Sequence, residues 1–447
     1  MVTAVVQDED VRYVIGGVDA ASIVRSVEHG VVSAALMPGQ AVPSVRQLAR
    51  RLGLSPTTVA AAYRDLRQRG VLVTHDRSRT VVAHGPPLAV RPAPATAGGL
   101  IDLASGNPDP ALLPDLREPL AAVNPTHRLY GDTTGVPALL ELARQDLHAD
   151  GVPVDHLAVV AGALDGIERV IGAHARVGDR IAVEDPGYVG AFDLVRALGL
   201  VPVPVAVDDA GMRPERLADA LEGGASVVLA TPRAHNPTGA ALTPPRAREL
   251  RAVLAVHPDV LVVEDDHASW ISGAAHHRLA GDRARWALVR SVAKSLGPDL
   301  RVAVLAGDEV TVTRVLGRQG LGTGWVSGLL QDLVVHVWTA ARAARVLDTA
   351  AAAYAARRRA LLTALADRDV EGHGGSGLNV WVPVAEEVPI VQHLAAYGWA
   401  VQAGEPYRIG APPAIRITVA RLPEERADEL ADHLVAALAT RMTTRRG

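Results

Sequence analysis

The sequence contains no cysteine. Disulfides and thiolate metal sites are therefore excluded. It has one phenylalanine, Phe192, and one lysine, Lys294, although Lys and Arg together number 45 among 447 residues. No run of about twenty uncharged apolar residues occurs, so no membrane-spanning helix is expected. The start, MVTAVVQDEDVRYV, is acidic and lacks the basic-then-apolar layout of a signal peptide. These absences point to a cytoplasmic protein. At this length, with 49% hydrophobic residues, two or three domains are expected.

The scarcity of lysine fits a GC-rich coding bias. A lysine used only for charge can become arginine under such a bias. One that must act as a neutral amine cannot, because guanidinium stays protonated at any ordinary pH. A Schiff base needs that neutral amine. A leftover surface lysine fits the composition equally well, so the motifs around Lys294 must decide.

Charge is unevenly spread. Residues 11–90 carry 10 Arg against 4 Asp or Glu, a net of +6, whereas residues 1–10 carry −3 and residues 91–447 carry −7. A basic front on an acidic body is expected to meet a polyanion. Residues 1–16 read as a tail, 17–84 as a small helical unit ending in a hairpin, and 85–99 as a Pro- and Ala-rich linker. Residues 100–440 read as an α/β domain. Its apolar runs LAVVAG, RIAVED, ASVVLATP, VLVVEDD and RVAVLAG suit strands buried on both faces of a mostly parallel sheet. Residues 329–367 read as helical, and LNVWVPV and AIRITVA as two further strands before a closing helix.

In the N-terminal unit, a first helix is expected at about 18–35. Ser44 with Gln47 forms a capping-box pattern, and Ser55 before Pro56 marks a second helix start. Val59, Ala62, Tyr63 and Leu66 recur at helical spacing and should face the core. VLVTHDRSRTVVA reads as a hairpin, the wing of a helix-turn-helix that can meet double-stranded DNA. This stretch of about seventy residues resembles the winged-helix domain of GntR-type regulators. Arg46, Arg50, Thr57, Thr58 and Arg79 are the DNA-contact candidates, to phosphates or base edges. Pro56 stands where the family often has arginine, and DRSR replaces a glycine-rich wing turn. A winged helix used only for protein contacts is the competing reading.

In the large domain, Lys294 follows an apolar strand, with Ser291 three residues before it and Arg301 seven after; both could hold phosphate. Gly162 and Ala163 open a helix after a strand, where bare N–H groups attract phosphate. VLVVEDDH puts Asp265 at a strand's carboxyl end, suited to a pyridine nitrogen. Asn236 suits donation to a phenolate oxygen, and Tyr188 suits stacking on a ring. An acidic cap and ordinary aromatic packing are the plain alternatives for Asp265 and Tyr188. Together these are the parts that pyridoxal 5'-phosphate asks of a protein.

The set of NPTG at 236–239, SxxK at 291–294 and the later arginine resembles the aspartate-aminotransferase type, a fold-type I architecture. That resemblance implies that Tyr130, in YGDTTG, reaches the partner subunit's cofactor phosphate in a homodimer. It also implies that Arg416 holds a substrate carboxylate. A GntR-type winged helix fused to this fold is similar to the MocR subfamily of regulators. His267 stands where that subfamily usually has tyrosine; it could bond the phenolate oxygen, with a protonation expected to vary near neutral pH. NPTG is closer to working aminotransferases than to many MocR sequences. His276 and His277 are read as surface residues, and no metal site is expected.

Three functions compete. The resemblance implies a transcription regulator that senses pyridoxal phosphate, or an amino compound forming an imine with it, among genes of vitamin B6 or amino-compound metabolism. The second is a working aminotransferase that carries a DNA-binding unit. The third is a DNA-binding protein whose large domain only dimerises; it leaves the spaced polar residues unexplained.

Overall fold

The computed structural model describes residues 13–33, 35–37, 39–68, 70–75, 79–83 and 99–444. The chain forms two compact units, a small N-terminal one and a large one holding most of residues 92–447. Most of the expected 85–99 linker, the tail up to residue 12 and the wing tip at 76–78 lie outside the described residues.

The small unit has helices α1 (Ala20–Val32), α2 (Val45–Leu52) and α3 (Pro56–Gln68), then strands β1 (Leu72–His75) and β2 (Arg79–Val82). Asp19 caps α1 and Ser44 caps α2, the latter through the expected reciprocal bond with Gln47. Gly53 ends α2 at φ +68°, where a side chain is disfavoured. The Ser55 hydroxyl accepts from Thr58 N at 3.1 Å and opens α3. Val59, Ala62, Tyr63 and Leu66 are all fully buried, and they pack with Ile23, Val27, Leu48 and Leu72. β1 and β2 pair antiparallel as the wing.

The large unit begins with β3 (Ile101–Asp102), α4 (Arg117–Ala122), α5 (Pro137–Ala149), β4 (Leu157–Val160) and α6 (Ala163–His174). There follow β5 (Arg180–Asp185), α7 (Val189–Ala197), β6 (Val201–Asp208), β7 (Gly211–Met212), α8 (Pro214–Glu222) and β8 (Ala225–Ala230). Next come α9 (Pro244–Ala255), β9 (Leu261–Asp266), β10 (Trp286–Ser291), α10 (Ala293–Leu296), β11 (Ala303–Gly307) and α11 (Glu309–Gly320). Two long helices, α12 (Gly328–Ala343) and α13 (Val346–Ala366), lead to the last part. It comprises β12 (Asn379–Pro383), α14 (Glu387–Ala396), β13 (Trp399–Ala400), β14 (Gln402–Ala403), β15 (Ala414–Thr418) and α15 (Ala427–Thr444).

Eight strands form one sheet in the order β4-β11-β10-β9-β8-β5-β6-β7. β5, β8, β9 and β10 are parallel neighbours, and β11 runs antiparallel between β10 and β4. The carboxyl ends of β4, β5, β8, β9 and β10 therefore share one edge, together with the amino end of β11. Ligands gather at such an edge in open α/β sheets. Val228, Val262 and Leu288 are fully buried in the sheet's core. Burial of one such side chain contributes roughly 1.5–3 kcal/mol. A second core joins β12 and β15 to α13, α14 and α15 through Leu361, Val380, Leu394, Ile417 and Leu430. No described helix is long and apolar enough to cross a membrane.

Candidate functional site

At the shared edge lies a cavity of about 180 Å³ lined by Ala163, Leu164, Tyr188, Thr231, Asn236, Asp265, His267, Ser291, Ala293, Lys294, Pro298 and Arg301. Sequence reasoning had singled out Ala163, Tyr188, Asn236, Asp265, His267, Ser291, Lys294 and Arg301 of these, from segments up to about 140 residues apart. Gly162 and Arg416 are not in the lining but adjoin it, Gly162 as the residue before Ala163 and Arg416 through its bond to Asn236. Tyr130 stands outside its own chain's cavity; it is 94% exposed and touches Trp325 edge-on at 5.5 Å.

Lys294 sits in the short helix α10 directly after β10, and its Nζ donates to Gly106 O at 2.6 Å. Burial, with the Arg416 guanidinium nearby, pushes the amine down to about 8. A neutral fraction of roughly a tenth therefore exists at about pH 7, against well under about a thousandth for an ordinary lysine, and nucleophilic attack by an amine requires that form.

Asp265 is buried at the end of β9. Burial, with Asp266 and Glu184 close by, pushes its carboxyl up to about 7. Its Oδ1 has no hydrogen-bond partner. A buried acceptor left open calls for an explanation, and a donor on a bound ring supplies one. His267 Nδ1 is likewise buried without a partner, 3.8 Å from Asp265 Oδ2. Burial, with Lys294 and His235 adding to it, pushes this imidazole down to about 4. This corrects the expectation of variable protonation: His267 is neutral through the neutral range, and desolvation is the cause.

Gly162 starts α6 at φ +99°, and a Cβ there would lie 2.9 Å from Arg301 Nη2. Glycine is thus required both by the backbone and by the close guanidinium. Arg301 itself adopts φ +45° and donates to Ala161 O at 3.2 Å, which holds it against the amino end of α6. Ser291 Oγ accepts from Ala293 N at 3.2 Å. Free helix N–H groups, a hydroxyl and a guanidinium make a phosphate cradle.

Asn236 Oδ1 accepts from Arg416 Nη1 at 3.1 Å, so the amide nitrogen is the end left to donate. Arg416, on β15, is buried, donates also to Ala104 O, and lies 4.6 Å over the Tyr407 ring. Its Nε has no partner. A guanidinium held beside the only lysine is suited to a carboxylate. Tyr188 is largely buried on the cavity wall; burial, then the Asp265 charge, raises its phenol.

Sequence reasoning missed the support beneath the site. Asp266 is fully buried and accepts from Arg233 Nε at 2.8 Å and Arg290 Nε at 2.7 Å. The same arginines reach Asp150 Oδ2 at 2.9 and 2.6 Å, and Arg290 reaches Asp146 Oδ2 at 2.6 Å. The two guanidiniums hold Asp266 well below the usual carboxylate range. The available signal was the triplet Glu264-Asp265-Asp266 in an apolar strand, since buried acids demand cations. Arg290 pairs with Asp266 in the β9–β10 register. His235 is also buried, 3.3 Å from Glu184 Oε2 and 2.7 Å from Thr238 Oγ1. His276 is corrected from surface to buried: its side chain is fully enclosed, 3.5 Å from Glu264 Oε2. His277 is half-buried.

In the small unit, Arg46 and Arg50 are exposed at i, i+4 on α2, and Thr57 is exposed at the start of α3. The Thr58 hydroxyl is engaged with Ser55 Oγ at 2.8 Å. Arg79 opens β2, but its side chain lies outside the described residues.

Known families and proteins match both units. Residues 99–434 match the family model for aminotransferase class I and II, and residues 19–82 that for bacterial regulatory proteins of the gntR family. The vitamin B6 salvage pathway transcriptional repressor PtsJ of Salmonella typhimurium is 38% identical over 95% of this chain and 99% of its own. The pyridoxine biosynthesis regulator PdxR of Corynebacterium glutamicum is 30% identical over 55% of this chain and 54% of its own. Among solved structures, an archaeal alanine:glyoxylate aminotransferase superposes with a TM-score of 0.70 at 20% identity, over 76% of this chain and 91% of that one. This likeness shows the fold.

Proposed function

The chain belongs to the aminotransferase class I and II family and, through its gntR-family front, to the MocR type of regulators; on that premise we propose how it works. It is a DNA-binding transcription regulator that holds pyridoxal phosphate on Lys294. Its signal is the vitamer itself or an amino compound that reacts with it. The observation that carries this reading is the chain's sole lysine, buried with a lowered proton affinity beside the open Asp265 oxygen.

When bound, pyridoxal phosphate supplies an aldehyde and an electron-withdrawing ring. Lys294 presents the amine that condenses with it. Asp265 offers its unpartnered oxygen to the ring nitrogen; a proton there would return the carboxyl to its charged form. Neutral His267 and the Asn236 amide can hydrogen-bond the phenolate oxygen. Ser291, Arg301 and the N–H groups at Gly162 and Ala163 hold the phosphate. Tyr188 covers the ring, and Arg416 receives a carboxylate.

The dimer rests on exposed apolar residues of the large unit. Leu120 on α4 is 60% exposed and Leu329 on α12 is 50% exposed, and Leu129 and Tyr130 are more so. Covering such a surface calls for a partner, and a second copy would bring its Tyr130 to this chain's phosphate cradle. Sedimentation should give twice the chain mass.

The regulatory reading is tested by footprinting DNA upstream of the protein's own gene. Wild-type protection should change when pyridoxal phosphate is added, and Lys294→Ala should protect DNA but lose that change. A vitamer response that survives in Lys294→Ala would contradict it. The complete cavity with Arg416 beside Lys294 also favours a second reading, transamination. Mixing the protein with an amino acid and a keto acid separates the two: sustained keto-acid turnover identifies an enzyme.

A further inference from the structure

A second cavity, of about 420 Å³, shares no residue with the first. It lies among α9, the end of α5 and the loop before β10, and its cationic lining comprises Arg248, Arg251 and Arg278 with His276 and His277. Among the described residues, none of these arginines lies within 4 Å of a carboxylate oxygen, although the Glu264 and Asp282 charges act on Arg278 from farther off. The acids on its rim are Asp150, which Arg233 and Arg290 already hold, and Asp282.

The decisive groups are buried. The His276 side chain is completely enclosed; its Nε2 lies 3.5 Å from Glu264 Oε2, and its Nδ1 has no hydrogen-bond partner. Arg278 Nε and Nη2 are buried and also unpartnered, with the guanidinium held over the Trp286 ring at 4.7 Å. Arg251 Nη1 donates to Arg278 O at 3.3 Å, which ties α9 to the loop. Leaving several buried donors open is costly unless a ligand or ion satisfies them. Planar forks with imidazoles in a small cavity match a tetrahedral oxyanion.

We propose that this cavity is a second ligand site, distinct from the Lys294 cavity, that binds a phosphate group, free or carried by a small metabolite. Its placement gives it a route to the first site. Glu264 faces His276, and the next residue on β9 is Asp265, which leaves the sheet on the other face. The inference does not depend on the cofactor reading.

The test is calorimetric titration of the full chain with inorganic phosphate and with phenyl phosphate at low salt. Arg248→Gln combined with Arg251→Gln should weaken binding at this site about tenfold or more with circular dichroism unchanged, while Arg248→Gln alone, which breaks no tie between α9 and the loop, should weaken it at an unchanged urea midpoint. Arg251→Lys should retain part of the affinity, and Arg301→Gln should leave this binding step intact. Binding of both ligands identifies a phosphate-ester site; binding of inorganic phosphate alone identifies a free-phosphate site. Loss of all saturable binding in Arg301→Gln, or none in the double variant, would overturn the inference while leaving the Lys294 reading standing.

Discussion

The two faces of β9 carry adjacent buried acids in opposite conditions. Asp266 meets two guanidiniums and is held ionised; Asp265 meets none, keeps an open oxygen and is pushed up to about 7. Both are buried, Asp265 at 8% and Asp266 at 0% exposed, so the main difference is the partner. An acid whose partners are built into the chain serves the fold. One whose partner is missing from the chain is waiting for a ligand. Among the histidines, His267 Nδ1 on the Lys294 cavity and His276 Nδ1 on the second cavity are open, whereas His235 Nδ1 has Thr238 Oγ1 and lies outside both linings.

The contrast breaks most visibly by removing the built-in charge. Asp266→Asn should leave Arg233 and Arg290 underpaired and cost roughly 3–5 kcal/mol in urea unfolding. A loss no larger than that of a surface variant would mean the network is not structural.

Asp265→Asn should act in the other direction, and through pH. The folded carboxyl has a higher proton affinity than the unfolded one, so the native state binds more protons between about pH 4 and 7. In that window this group lowers stability as pH rises. Cofactor-free Asp265→Asn should therefore gain on wild type from pH 5 to pH 8, by roughly 2–3 kcal/mol. Saturating pyridoxal phosphate should reverse the gain, because the ring nitrogen then supplies the missing partner. An equal difference between the two proteins at both pH values would contradict the reading.

The smallest expected effect lies in the other unit. Arg46→Ala on α2 should weaken binding to all DNA sequences alike and reduce the salt slope of binding by about 1. A sequence-selective loss would instead make Arg46 a base reader.

The same contrast explains what the sequence could tell. The caps of α2 and α3 and the buried Val59, Ala62, Tyr63 and Leu66 follow from neighbours in the chain, so the small unit was legible almost throughout. In the large unit, residues that face the ligand were legible because the chemistry dictates their type: a lysine for the amine, a carboxylate for the ring nitrogen. Their supports were not. Arg233 and Arg290 converge on Asp266, and both also reach Asp150, from positions far apart in the chain, and Arg416 leans on Ala104, which no local pattern announces. The burial of His276 and the neutrality of His267 likewise depend on what packs around them.

The most direct measurement concerns the amine of residue 294. Protein mixed with pyridoxal phosphate, reduced with borohydride and digested should yield one peptide bearing the vitamer's added mass, that containing Lys294. If that peptide is recovered unmodified from saturated, folded protein, the large unit does not hold its cofactor as described.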